Sequence, residues 1–171
     1  MATLWLTRVL CLTSPMYVSA RADYGMCAVL ELARVYSESS EQLITSEKIA
    51  RDQNIPSKFL EGILRELRQA NIVLSRRGPD GGYRLARAPQ EITVADVIRA
   101  LDGPLAAVRG QRPEDVEHSG SSLSDVWIAL RASMRTVLEN ITLEQALIGN
   151  FNEEVTHLIN SPGARERRST H

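Results

Sequence analysis

The sequence predicts a mainly α-helical fold that carries one small β-hairpin. Apolar residues recur at helical spacing over most of the chain, and a glycine-rich turn separates two short apolar runs between residues 73 and 86. The 171 residues are enough for one domain and an accessory helix. Because only 5% of the residues are aromatic, Leu, Ile, Val and Ala must build most of the core.

The composition excludes several classes of protein. The 20 basic and 21 acidic side chains give a formal net charge of -1, so the whole chain has no strong positive field. Its two cysteines, Cys11 and Cys27, cannot form a disulfide framework or supply four zinc ligands, which favours a reducing, cytoplasmic setting. No run approaches the roughly 18 apolar residues of a membrane span, so we expect no membrane contact.

The first fifteen residues differ in pattern from the rest of the chain. They are apolar and carry Arg8 inside the apolar stretch, which fits a secretory signal poorly. Helical patterning begins only after Met16. We therefore expect residues 1–15 to be an upstream extension, with translation starting at Met16, and a short flexible or membrane-touching arm is the alternative.

Three helices are predicted in the first half of the chain. The first runs from Ser19 to Val35, and a short second one runs from Ser46 to Gln53, with Thr45 as its cap. A tight turn at residues 54–56 leads into the third. The expected buried stripe of that third helix is Phe59, Leu60, Ile63, Leu64 and Leu67.

The second half begins with the hairpin and ends in a long helix. Strands at 73–77 and 83–86 are joined by a glycine-rich turn, and Thr93 with Asp96 forms a capping-box pattern before a fourth helix. Residues 103–122 then lack periodicity, which is uncommon for so long a loop unless it has a function. Ser122 with Asp125 predicts another capping box, followed by a helix over 123–150 that continues or restarts at Thr142. We expect residues 151–171 to be a disordered tail.

The order of these elements is that of a winged helix-turn-helix, assigned to residues 16–102. In that fold the second helix of the pair enters the major groove of DNA and the hairpin is the wing. Residues 57–87 carry seven basic and three acidic side chains, whereas residues 103–160 carry four basic and eight acidic ones. One end of the molecule is therefore suited to phosphate and the other is not.

Single residues on the third helix and the wing support this interpretation. Gly62 costs about 1 kcal/mol relative to alanine inside a helix and is tolerated where a partner such as a groove edge approaches closely. Arg76 and Arg77 adjoin the wing turn, where a guanidinium group has the right reach for a narrow minor groove. Simple phosphate contact is the alternative role for both arginines.

Two stretches of sequence resemble a known family. The segment I-P-S-K-F-L-E at residues 55–61 and the segment R-G-P-D-G-G-Y-R-L at residues 77–85 are similar to the recognition helix and the R-G-x-x-G-G-Y-x-L wing of the Rrf family. This family of bacterial winged-helix regulators includes the iron-sulfur and nitric-oxide responsive repressors of the IscR and NsrR type. The resemblance runs from Met16 to about Gly149.

The resemblance implies a homodimer that binds a roughly palindromic operator and represses transcription. By this resemblance, Glu61 lies at the position where the family reads a base edge, and Arg77 lies where the wing enters the minor groove. Ser19 and Arg21 lie at positions where the family contacts the DNA backbone. The DNA-binding residues are then Ser19, Arg21, Ser57, Lys58, Glu61, Arg65, Arg76, Arg77 and Gly78. The dimer contacts fall on the apolar stripe of the long helix: Leu123, Trp127, Leu130, Met134, Val137, Leu138 and Ile141.

The chain departs from the family at its sensor loop. Cluster-binding members carry three cysteines there, whereas residues 103–127 of this chain contain none. Gly110 lies near the first cysteine position, Asp125 near the fourth ligand, and His118 is alone. Because iron-sulfur clusters are held by thiolates, we expect no cluster, no metal and no other cofactor.

Three functional hypotheses remain open at this stage. The first is a DNA-binding regulator without a cluster, acting on double-stranded DNA and controlled by an unidentified small molecule or protein. The second is the same scaffold with a metal or iron-sulfur centre held by unusual ligands such as His118 and Asp125. The third is a winged-helix protein-interaction module that does not bind DNA. An enzyme is not expected, since no catalytic motif is present.

Overall fold

The computed structural model describes residues 18–117 and 121–166 and confirms a mainly helical fold with one antiparallel hairpin. The expectations for residues 1–15, for His118 and for residues 167–171 lie outside the described residues. The described elements are α1 (Ala20–Glu38), α2 (Ser46–Asp52), α3 (Ser57–Gln69), β1 (Val73–Arg76), β2 (Gly82–Leu85), α4 (Val94–Asp102), α5 (Leu123–Leu138), α6 (Leu143–Ile148) and α7 (Glu153–Asn160).

Helix α1 is the centre of the domain. It packs against α3, α4, α6 and β2, and Ala28, Val29 and Leu32 on α1 are fully buried. Gly25 lies where α1 crosses α4, and a Cβ atom at that position would overlap the Leu101 side chain. A larger residue at position 25 would therefore require the Leu101 side chain to move.

Helix α3 buries a narrower stripe than the sequence predicts. Four of the five expected residues are buried, but Phe59 is 43% exposed, so its assignment to the core was wrong. Phe59 lies at the flank of the stripe, where its ring reaches α1 and meets Tyr24 edge-on at a centroid distance of 5.7 Å. The pair links the start of α3 to α1 by an aromatic contact.

Two of the three predicted helix caps form. The Thr45 hydroxyl accepts from the Lys48 amide at 3.2 Å, and Thr93 and Asp96 bond reciprocally at 3.1 and 3.0 Å. The cap predicted at Ser122 was wrong, because its backbone is not extended and its side chain makes no cap hydrogen bond. The Asp125 amide instead donates to the Ser122 carbonyl oxygen at 3.1 Å.

The long helix ends at Leu138 rather than at residue 150. A capping box between Thr142 and Gln145 starts α6, which confirms a restart near Thr142. Backbone hydrogen bonds of 2.9 Å join Val94 to the Ile141 carbonyl and Leu143 to the Ile92 carbonyl. Ile141 is therefore buried against its own winged-helix domain, and its assignment to the dimer stripe was wrong.

The segment after residue 150 contains a helix where the sequence suggested disorder. The Asn152 side chain accepts from the Val155 amide at 2.9 Å, and two acidic residues occupy the first turn of α7. Both features stabilise a helix N-terminus. The disorder prediction was therefore wrong for residues 153–160, where Val155 is also buried.

Helix α6 should contribute to the stability of the winged-helix core. Leu143 is fully buried in the core cluster, so Leu143→Ala should lower the free energy of unfolding by about 2–5 kcal/mol. The matched control is Leu147→Ala on the same helix, which is 36% exposed and should cost less than about 1 kcal/mol. Urea denaturation measures both variants. Equal losses would show that α6 is not part of the core.

Candidate nucleic-acid interface

Helix α3 presents a polar face that is opposite its buried stripe. Ser57, Lys58, Glu61 and Arg65 are exposed and recur at intervals of one, three and four residues. Among residues 18–117 and 121–166, no carboxylate forms an ion pair with Lys58 or Arg65. The structure thus brings these four predicted site residues together on one surface.

The wing has a closed turn with a free cation at its tip. Gly78 has a φ of 111° and accepts a 2.9 Å hydrogen bond from the Gly81 amide. The Arg76 guanidinium donates to the Asp80 carbonyl oxygen at 2.8 Å and so holds the turn. Arg77 is exposed and is not paired with any carboxylate of the described chain. The side chains of Arg76 and Arg77 therefore have different surroundings, although the two residues are adjacent in the sequence.

The root of the wing is fixed to the helix-turn-helix. Ile44 and Tyr83 exchange backbone hydrogen bonds of 3.0 and 2.8 Å, which adds a bridge between the wing and the segment before α2. A Cβ atom on Gly82 would lie 2.6 Å from the Ile44 carbonyl oxygen. Arg68 at the end of α3 donates to the Ser75 hydroxyl at 3.3 Å. Sequence reasoning missed Arg68 as a link between α3 and the wing.

The start of α1 lies beside α3 through an ion pair. The Ser19 hydroxyl caps α1 by accepting from the Ala22 amide at 2.9 Å. Arg21 forms an ion pair with Glu66 of α3, so its guanidinium group is already engaged within the chain. Contact of Arg21 with a phosphate would compete with this pair.

A buried carboxylate sets the position of α2. Glu31 on α1 is only 6% exposed, accepts from Arg34 at 2.5 Å and accepts from Gln53 after α2 at 3.3 Å. Glu47 lies at the other end of α2. Its carboxylate accepts hydrogen bonds from its own backbone amide and from Thr45, which hold the pKa of Glu47 below its usual range. Glu47 is therefore an ionised group beside the wing at neutral pH.

The apolar stripe of helix α5 is only partly covered by the described part of the chain. None of its residues is buried, and Leu123 and Val126 are 38% and 56% exposed. The Trp127 indole nitrogen is buried, yet it finds no hydrogen-bond acceptor in the described part of the chain. The predicted dimer residues that lie on this helix are Leu123, Trp127, Leu130, Met134, Val137 and Leu138.

A different side of α5 holds the loop that precedes it. A short 3-10 turn at Pro113–Asp115 packs against α5, and Glu114 pairs with Arg131 at 2.5 Å. The Ser124 hydroxyl donates to the Val116 carbonyl oxygen at 3.0 Å. The stretch that the sequence left without pattern is thus bonded to α5 in the described residues up to 117.

An exposed polar second helix of a helix-turn-helix, flanked by a basic hairpin, defines a winged helix-turn-helix DNA-binding protein. The model of the Rrf2 family, described as iron-dependent transcriptional regulators, matches residues 18–148. The chain belongs to the Rrf2 family.

Curated relatives agree with this assignment. The chain is 44% identical over 153 residues to a protein of Mycobacterium tuberculosis that is named as an HTH-type transcriptional regulator, with 88% of this chain and 93% of the relative covered. It is 35% identical over 129 residues to CymR of Bacillus subtilis, with 75% and 88% covered. The relatives are transcriptional regulators, a class that is generally not enzymatic.

Solved structures share the fold. CymR of B. subtilis, described as its global cysteine regulator, superposes with a TM-score of 0.66 at 29% identity and covers 80% of this chain and 100% of that one. IscR of T. potens gives a TM-score of 0.62 at 30% identity, with 83% and 96% covered. The protein is therefore a DNA-binding transcriptional regulator. None of the described helices is long and apolar enough to cross a membrane.

The donor groups do not fit the iron-sulfur cluster that cluster-binding members hold. The sequence has no cysteine between residues 103 and 127, and Cys27 lies on α1. Burial, followed by the nearby charge of Asp23, raises the pKa of the Cys27 thiol, which keeps it protonated. No three His, Cys, Asp or Glu residues of the described chain are placed to hold a metal ion. We therefore assign no step to a cluster.

The two glycines at 62 and 82 should respond in opposite ways to alanine. Gly82→Ala should lower the free energy of unfolding by about 1–3 kcal/mol, because the new Cβ meets the Ile44 backbone. A Cβ atom at position 62 would have no neighbouring atom within 4 Å. Gly62→Ala should therefore raise the free energy of unfolding by up to about 1 kcal/mol, since alanine favours the helix. Thermal and urea unfolding check both. A neutral Gly82→Ala would show that the wing root is not tightly packed.

Proposed function

We propose that this regulator is a homodimeric repressor that binds a roughly palindromic operator, with the α3 helices of the two subunits in successive major grooves. The observation that carries the proposal is the exposed α3 face, which lies beside a wing whose tip cation is unpaired. In such dimers the two half-sites lie about one helical turn apart. A regulator of this kind works where the chromosome is, so we place it in the cytoplasm.

The α3 face offers several modes of DNA contact. Lys58 and Ser57, in the first turn, can bind phosphate or a base edge. Glu61 can accept from the amino group of cytosine, or it can orient Arg65 one turn later. Glu61 with Arg65 would then be the pair that reads sequence, whereas Lys58 contributes affinity for the phosphate backbone.

The wing supplies the minor-groove contact in this proposal. The Arg77 side chain is unpaired among the described residues and stands at the end of a turn that Arg76 closes. A narrow minor groove has an enhanced negative potential that attracts a guanidinium group. Gly78 allows the protein chain to turn next to Arg77. Ser19 and Arg21, at the start of α1, add contacts to the DNA backbone.

Helix α5 is the proposed dimer seam. Its apolar residues recur every three or four positions and are exposed or half-exposed in the single chain, a pattern typical of a helix that is covered by a partner. A second copy would bury this stripe in an isologous contact. The unpaired indole N–H of Trp127 is consistent with an acceptor on the partner subunit, since a buried donor without one is costly.

Repression follows from occupancy of the operator. A dimer that covers two successive turns of a promoter excludes RNA polymerase from the same DNA. Repression of this kind can be relieved by an effector that lowers the affinity of the regulator for the operator. A promoter-reporter assay with and without the regulator distinguishes repression from activation.

The wing tip should contribute measurably to operator affinity. Arg77→Ala should weaken operator binding by roughly 1–3 kcal/mol and reduce the salt slope by about one, because one phosphate-region contact is lost. Arg109→Ala is the charge-matched control, since Arg109 is exposed in the loop after α4 and away from the wing. Fluorescence anisotropy over a salt series measures both variants.

The operator sequence can be identified by enrichment of genomic DNA fragments with the purified protein. The Arg77→Ala variant is tested in parallel. We expect the wild type to recover a few intergenic fragments that share an inverted repeat. Equal recovery by both proteins would overturn the wing assignment. A salt slope near zero for the wild type would instead favour a protein-interaction module, because true phosphate contacts steepen the slope by about 0.9 each.

The dimer seam can be tested on one helix. Val126→Glu places a charge next to Trp127 of the apolar stripe, at the most exposed large apolar residue of α5, and should convert the dimer to a monomer, because the charge cannot be desolvated in the seam. Ala132→Glu, exposed on the opposite side of α5, should remain dimeric. Light scattering after size-exclusion chromatography gives the mass. If the Val126→Glu protein stayed dimeric, the seam would lie elsewhere.

A further inference from the structure

A cavity of about 360 Å³ lies where the end of α4, the loop from Gly103 to Pro113 and helix α5 meet. Its size is at the lower end of the range for small-molecule sites. Leu105 and Pro113, both buried, supply apolar wall. The cavity is remote in sequence from the residues that form the DNA-binding face.

Four arginines are among the residues that line this cavity. Arg99 comes from α4, Arg112 from the loop, and Arg131 and Arg135 from α5. Over the described part of the chain, no acidic side chain is among the lining residues. Arg131 is the most enclosed of the four, with a side chain that is 12% exposed. The lining therefore combines arginine side chains with apolar residues.

Carboxylates outside the lining hold the four arginines in place. Glu114 pairs with Arg131 at 2.5 Å, Asp115 pairs with Arg112 at 2.8 Å, and Glu139 pairs with Arg99 and with Arg135. Within this set three carboxylates face four guanidinium groups, which leaves one positive charge unbalanced. The arginines are therefore preorganised, and the set still attracts an anion.

Two of these carboxylates, Glu114 and Asp115, stay ionised at neutral pH. A hydrogen bond to its own backbone amide, and then one from Arg131, holds the pKa of Glu114 below its usual range. The hydrogen bond from Arg112 does the same for the pKa of Asp115. The positions of the Arg131 and Arg112 guanidinium groups should thus be maintained over the physiological pH range.

We propose that this cavity binds a small organic carboxylate. Its carboxylate group is held by guanidinium groups of α5 and α4, and its apolar part lies against Leu105 and Pro113. The planar fork of arginine matches a carboxylate with two parallel hydrogen bonds, which favours this ligand class over a neutral one. The partly apolar lining favours an organic anion over an inorganic one.

Binding here would regulate the operator complex, a consequence that rests on the proposed function. The ligand would bridge α4, which packs against α1 and α3, and α5, which carries the proposed dimer seam. A change in the separation of α4 and α5 would alter the separation of the two recognition helices. The site itself can be tested without DNA.

Succinate is the probe for the full-length protein, with citrate and acetate as larger and smaller carboxylates. Calorimetry at constant ionic strength should show saturable binding of at least one of the three, and the same compound should raise the melting temperature. Succinamide, the neutral analogue of succinate, should not bind. Absence of saturable binding of all three carboxylates would overturn the proposal.

Matched variants locate the binding. Arg135→Gln should raise the dissociation constant of the bound carboxylate by about tenfold or more, because one charge-assisted hydrogen bond is lost. Arg135 is half-exposed, so its replacement should leave the fold intact, as circular dichroism would verify. Arg109→Gln, in the same loop but not lining the cavity, should bind as the wild type does.

A second variant tests the cavity without a change of charge. Ala107→Phe places a ring in the cavity and should also abolish binding. Equal affinity of wild type, Arg135→Gln and Ala107→Phe would show that the carboxylate binds elsewhere and would overturn the proposal. Operator affinity is measured separately on the same proteins without ligand, so loss of the pocket and loss of DNA binding are distinguishable outcomes.

Discussion

The close packing of α1 against its neighbours is the constraint on which the remaining structure depends. Gly25 leaves room for the Leu101 side chain of α4 to lie directly against α1, and α3, α6 and β2 pack around the same helix. Glu31 on α1 also fixes α2 through Gln53. The exposed α3 face is therefore carried by a rigid support, which is what a recognition surface requires.

Electrostatics separates the molecule into two ends despite its near-zero net charge. On the DNA-binding face, Lys58, Arg65 and Arg77 have no carboxylate partner within the described residues, so their charges are available to phosphate. At the far end, by contrast, Arg131 and Arg135 are each paired with a carboxylate. Unpaired positive charge is thus concentrated on the DNA-binding face, which orients the protein as it approaches DNA.

The sequence predicted the features that depend on local chemistry and missed those that depend on distant partners. The cap at Thr45 and the wing turn follow from adjacent residues, and both were predicted. Ile141 lies in the core because its backbone pairs with residues some fifty positions earlier. Phe59 lies outside the buried stripe of α3, where its ring contacts Tyr24 on another helix. The arginine-lined cavity likewise combines α4 with α5, so no local pattern could indicate it.

The position of the cavity explains how one chain could link a ligand to DNA. A ligand shifts an equilibrium only if it binds two arrangements with different affinity. Arg99 belongs to α4 and therefore to the DNA-binding unit, whereas Arg135 belongs to α5, and Glu139 pairs with both. A bound carboxylate that contacts both guanidinium groups would join the link that Glu139 makes between the two helices and so change their separation. The proposed ligand would thus favour one separation of α4 and α5, and by reciprocity operator DNA would change the affinity of the protein for the ligand.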